Sequence, residues 1–121
     1  MVRCVALALV LTPAAHAAEE AGAAELQAFN DHCRTCHSSK RDDNRLGPSL
    51  FGVVGRKAAS VQGFAYSDAM KSSGLTWDVG TLDTFIANPE AVVPNNGMKP
   101  FGGISDARQR GLIIDFLKKN Q

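Results

Sequence analysis

The chain has 121 residues, 45% of them apolar, which is enough for one small domain with a limited core. Its 13 Lys and Arg stand against 12 Asp and Glu, so no basic excess points to nucleic acid or to an anionic membrane surface. Three cysteines are an odd count and need an explanation.

The N-terminal segment supplies one. Arg3 gives a positive start, Val5 to Leu11 form a short apolar run, and Ala15-His16-Ala17 place small residues at the two cleavage positions. This is the pattern of an export signal cut after Ala17, and the run is too short to span a bilayer as a helix. Residues 1–17 are therefore expected to be a signal peptide and residues 18–121 the mature domain, in the bacterial periplasm and without stable membrane insertion. Cleavage removes Cys4, leaving two cysteines, and the loss of Arg3 brings basic and acidic residues level.

Both remaining cysteines lie in Cys33-Arg34-Thr35-Cys36-His37, a C-x-x-C-H pentapeptide of the kind that attaches haem covalently. Two thiols three apart on one helical turn can add to the two vinyl groups of one porphyrin. The adjacent His37 then lies under the ring, where its imidazole can bind iron. A zinc site would need a second ligand pair, which Cys4 and His16 do not make. A redox pair of the thioredoxin kind needs a strand–helix setting that is absent here, and a plain disulfide leaves His37 unexplained.

A helix is expected from about Ala23 into this motif, with Leu26, Phe29, Cys33 and Cys36/His37 on one face. A loop punctuated by Gly47-Pro48, Gly52, Gly55 and Gly63 should run from Ser38 to about Ser67. Ser67 can cap a short helix over Asp68 to Ser72, ended by Gly74. Asp78 or Gly80 precedes a third helix, roughly Thr81 to Ala87, which Asn88-Pro89 stops. Ser105 and Asp106 open the last helix, whose Leu112, Ile113, Phe116 and Leu117 face a core and whose Lys118 and Lys119 suit its C-terminal dipole. The fold class is all-α, about four helices with long loops. A loop of that length normally argues against such an assignment, but a porphyrin offers it a surface to pack on.

Met98 is the candidate for the other face of the iron. It lies in the irregular Pro94-Asn95-Asn96-Gly97-Met98 loop, where a soft thioether is harder to read as core than on a helix face. Met70, beside Lys71 in the short helix, reads as ordinary packing.

With these residues in view, the chain resembles the class I c-type cytochromes, the monohaem family of soluble mitochondrial and bacterial cytochrome c. The matching stretches are Gly47-Pro48-Ser49-Leu50, Gly55-Arg56-Lys57, Gly63 to Lys71, Gly74-Leu75-Thr76-Trp77, Asn88-Pro89 and the Met98 loop. The resemblance implies the cytochrome c fold, four or so helices wrapped around one covalent haem c, with His37 and Met98 as metal ligands and Cys33 and Cys36 as attachment points. It implies that the Pro48 carbonyl accepts the His37 ring N–H, and that Arg56, Tyr66, Trp77 and Asn96 lie on the propionate side. These are the donors a buried carboxylate needs. Phe29 and Phe116 match aromatic contacts between the first and last helices.

Departures from the family matter too. Phe85 stands where a tyrosine is common, removing a pocket hydroxyl. Glu25 replaces the glycine that permits a close helix crossing, with Gly111 a candidate to provide that approach from the other side. The segment after Met98 is one residue longer than the mitochondrial pattern. Glu90 and Gly97 replace lysines near the haem edge, so only Lys99, Arg34 and Arg45 are left as candidates for positive charge there. The expected function is a monomeric, periplasmic, respiratory-chain electron carrier between a redox donor and acceptor, and not an enzyme. A dedicated subunit of one dehydrogenase or oxidase is the alternative. A haem enzyme or gas sensor with a displaceable Met98 would want a distal acid or base, and His32 on the proximal helix is poorly placed for that.

Overall fold

The computed structural model describes Ala6 and residues 8–121. Arg3 and Cys4, which carry the positive n-region and the odd cysteine, lie outside the described residues. Five helices and no strand are present among the described residues: α1 (Pro13–His32), α2 (Asp68–Ser72), α3 (Val79–Ala87), α4 (Pro89–Val92) and α5 (Ala107–Lys119).

Helix α1 begins well before the expected Ala23. Thr12 caps it by accepting from the Ala15 N–H, Pro13 pre-sets the first turn, and the following alanines are strong helix formers. The helix therefore runs through the expected cut after Ala17. On its N-terminal side, Leu9 and Val10 are almost fully exposed and support no core. At its other end α1 stops at His32, so the cysteine motif forms a turn just beyond the helix rather than its last turn.

The remaining helices start where side chains can satisfy their free N–H groups. The Ser67 hydroxyl accepts from Met70 N–H (3.1 Å) and the Asp78 carboxylate from Thr81 N–H (2.7 Å). Asp106 accepts from Arg108 and Gln109 N–H (2.8 and 3.2 Å). Asn88-Pro89 does end α3, but it also starts α4, an element the sequence reading missed: the Asn88 amide oxygen accepts from Ala91 N–H (3.2 Å).

The core joins α1 and α5. Ile113 and Leu117 of α5 are the most buried side chains there, and Phe29 packs on Phe116 with ring centroids 4.5 Å apart. Two expectations fail at this crossing. Leu26 is 46% exposed, because Glu25, Ala28 and Phe29 form the buried face instead. Gly111 faces outward, with nothing within 4 Å of where its Cβ would be, so it provides no close approach. The crossing is made by Glu25 itself, buried with its carboxylate held by Lys119 Nζ at 2.9 and 2.7 Å. Lys119→Ala strands that carboxylate. It should cost about 1–2 kcal/mol in denaturant unfolding, less than for a fully buried pair because Lys119 is largely in water.

The long loop from Ser38 to Ser67 is pinned rather than structureless. Leu50 N–H donates to Ser38 O, and Gly52 N–H to Asn120 O, both at 2.8 Å. An isolated bridge pairs Lys57 with Thr76, flanked by Trp77 N–H to Arg56 O and Ala58 N–H to Leu75 O at 2.8 Å. That pairing sets Arg56 beside Trp77.

Candidate functional site

The cysteine motif folds as one tight turn. His37 N–H donates to Cys33 O (2.9 Å) and Cys36 N–H to the same carbonyl (3.2 Å), so both sulfurs and the imidazole leave one short arc of backbone. The two thiols are not joined to each other. Burial pushes the Cys33 thiol up to about 12, which keeps it protonated and unlike a reactive redox thiolate.

His37 is buried and oriented by one bond. Its Nδ1 lies 2.8 Å from Pro48 O. A carbonyl can only accept, so the proton sits on Nδ1 and the Nε2 lone pair is left free. Burial lowers the His37 pKa, opposed by the Pro48 bond and assisted by the Arg56 charge, so the neutral imidazole that can bind a metal is favoured. Gly47 N–H donates to Cys36 O (2.7 Å), tying the Gly47-Pro48 corner back to the motif. A Cβ at Gly47 would strike the His37 ring, within 2.6 Å of Nδ1 and 2.8 Å of Nε2. This position therefore has to be glycine, a requirement the sequence reading missed although Gly-Pro after the motif was its signal.

Arg56 donates through Nη1 to Phe51 O (2.8 Å) and through Nη2 to Ser49 O (3.0 Å). Its Nε is the one buried side-chain nitrogen or oxygen without a partner among the described residues. A buried N–H left open beside a fixed guanidinium fits an added carboxylate such as a haem propionate. Tyr66 is near enough to influence the Arg56 charge, and its hydroxyl accepts from Val61 N–H (3.2 Å). Trp77 is buried against Phe85, ring centroids 4.8 Å apart. The backbone bond from Trp77 N–H to Arg56 O (2.8 Å) places the tryptophan next to the arginine in the fold.

Asn96 belongs to a separate set of bonds. Its Nδ2 donates to Val93 O (3.1 Å) and Glu90 Oε2 (3.3 Å), and its Oδ1 accepts from Met98 N–H (2.7 Å). These bonds tie Asn96 into the methionine loop. Met98 itself is half-buried and packs on the same core as Cys33 and Tyr66. Met70 is plain core, as expected, and His32 is exposed. Two of the three positive charges expected near the motif are offset: Arg45 lies 3.0 Å from Asp43 and Lys99 3.8 Å from Glu90.

A comparison with family models finds no match. Among individual proteins, the chain is 45% identical over 114 residues to cytochrome c2 of Rhodomicrobium vannielii, covering 93% of this chain and 89% of that one. It is 44% identical over 86 residues to cytochrome c2 iso-2 of Magnetospirillum molischianum, covering 71% and 88%. Cytochrome cH from Methylobacterium extorquens superposes with a TM-score of 0.73 at 43% identity, over 81% of this chain and 97% of that one.

Proposed function

Because the chain belongs to the class I c-type cytochromes, electron carriers with one covalent haem c rather than enzymes, we propose that it shuttles single electrons in the periplasm, with His37 and Met98 as the axial iron ligands. When bound at Cys33 and Cys36, the haem supplies the ferric–ferrous couple. The residues do the rest. His37, its proton committed to Pro48, presents Nε2 as a neutral ligand, and the soft Met98 thioether favours the ferrous state. The Arg56 Nε–H, without a partner among the described residues and with Tyr66 near it, would donate to a propionate. With His37 and Met98 both bound, no position would be left open for oxygen or substrate.

The observation that carries this reading is the His37 ring, whose Nδ1 is satisfied at 2.8 Å inside a motif turn that gathers both thiols. For location, support comes from the described residues before Ala17, which are nearly all exposed and supply none of the core. Cutting there would leave Ala18-Glu19-Glu20 as the new start of α1, where carboxylates suit the helix dipole. No helix among the described residues is long and apolar enough to cross a membrane. The mature protein is read as a monomer that meets a redox donor and an acceptor in turn. Asp43 and Glu90 stand beside Arg45 and Lys99, so the charge that a strongly acidic partner would meet there is mixed in sign.

The test is anaerobic rapid mixing of the periplasmic protein, its N-terminus checked by mass at Ala18, with candidate dehydrogenases and terminal oxidases. Fast exchange with several supports a shuttle. Tight binding to one makes it a dedicated subunit, and slow exchange with all, alongside peroxide turnover, overturns the carrier reading.

A further inference from the structure

We propose that Glu90 is a positioning residue for Met98, clamping the methionine loop to α4 and so setting how well the thioether resists a competing ligand. The inference rests on Met98 being an iron ligand, as read above.

The loop from Pro94 to Gly97 has little apolar packing to hold it, since Pro94, Asn95 and Gly97 are all exposed. Polar contacts hold it instead, and they converge on one carboxylate. Glu90, in the first turn of α4, accepts from the Asn95 backbone N–H through Oε1 (3.0 Å) and from Asn96 Nδ2 through Oε2 (3.3 Å). Asn95 has φ of 63°, a left-handed turn that Asn tolerates better than most residues. Asn96 then passes the restraint on, its Oδ1 accepting from Met98 N–H at 2.7 Å. The path from Glu90 to the methionine backbone is therefore carboxylate, amide, N–H.

Three other anchors frame the loop. Val93 O accepts from Asn96 Nδ2 (3.1 Å), the Ser67 hydroxyl that caps α2 donates to Asn96 O (3.0 Å), and beyond Met98 the Ile104 N–H donates to Ile86 O (2.9 Å). None of them reaches the Asn95 N–H, and Glu90 alone holds both Asn95 and the Asn96 side chain. Lys99, at 3.8 Å from Glu90 and mostly exposed, adds little. The chemistry demands a carboxylate, because two donors approach its two oxygens, whereas glutamine offers one acceptor and turns its own N–H groups on the other donor. A lysine in its place would accept nothing.

The experiment titrates ferric holoprotein with imidazole at fixed pH and salt, following the far-red charge-transfer band of iron–sulfur coordination. Glu90→Ala should bind imidazole about fivefold more tightly, the scale of losing hydrogen bonds to a half-exposed charged acceptor. Glu90→Gln should fall between Glu90→Ala and wild type, and Asp115→Ala, an exposed change on α5, should titrate like wild type. If the wild type shows the band but both Glu90 variants bind imidazole as it does, the clamp is overturned while the Met98 reading stands. If the wild type lacks the band, or Met98→Ala keeps it, the ligand assignment fails and the clamp with it.

Discussion

Met98→Ala is expected to keep the haem covalently attached while opening the iron's sixth position. The ferrous variant should bind carbon monoxide readily where the wild type does not, and the far-red iron–sulfur band of the ferric form should vanish. The reduction potential should fall, because a neutral thioether favours the ferrous state and the water that replaces it does not. A drop on the order of 0.2 V is reasonable within the ≈ 0.8 V range over which axial ligands tune haem. Attachment should survive because Cys33, Cys36 and His37 belong to a turn closed by its own backbone bonds, and Met98 is no part of it. A variant with wild-type spectrum, potential and carbon monoxide binding would show that Met98 is not the ligand.

Gly47→Ala should damage the opposite side of the site with the smallest possible change. The new methyl would overlap three atoms of the His37 ring, and neither partner can step aside cheaply. The ring is tied to Pro48 O, the next residue along, and Gly47 is tied through its N–H to Cys36 O. Relief means breaking one of those bonds, so the cost should reach about 2–3 kcal/mol, the upper part of the range for overpacking. It should show as a lower denaturation midpoint and a lower yield of haem-loaded protein. Gly111→Ala is the matched control. That glycine is mid-helix and open, so alanine there should raise stability by about 0.5–1 kcal/mol through helix propensity alone. Equal behaviour of the two variants would mean that the Gly47 contact does not constrain the histidine.

The parts legible in the sequence were those set by short-range chemistry. The Ser67 and Asp106 caps and the Asn88-Pro89 stop are each written within a few neighbouring residues, and the structure has them where expected, whereas the C-x-x-C-H motif was placed on the first helix and folds as a turn just past it. The pairing of Phe29 with Phe116 came from the family resemblance and holds at 4.5 Å. What was misjudged depended on distant partners. Glu25 looked like an obstacle to helix crossing because nothing nearby announces Lys119. The ties of Asn96 to Val93, Glu90 and Met98 likewise carry no mark in the sequence. Leu26 and Phe29 sit at helical spacing, yet the face that turns inward is chosen by α5. The start of α1 was placed too late because the alanines before the expected cut were read as processing signal, and the same residues are good helix formers.

The bond between Glu25 and Lys119 joins residues 94 apart, and the aromatic pair beside it spans nearly as much chain. Closing a loop of that size costs roughly 4 kcal/mol of chain entropy before any core contact repays it. Ile113, Phe116 and Leu117 complete the core from the far side of that loop, so Phe29 has no aromatic partner until α5 docks. The central helix pair therefore cannot act as an early nucleus, and the chain stays loose until residues 25–29 and 113–119 meet. That interval is when the two thiols of the cysteine turn are easiest for attachment chemistry to reach.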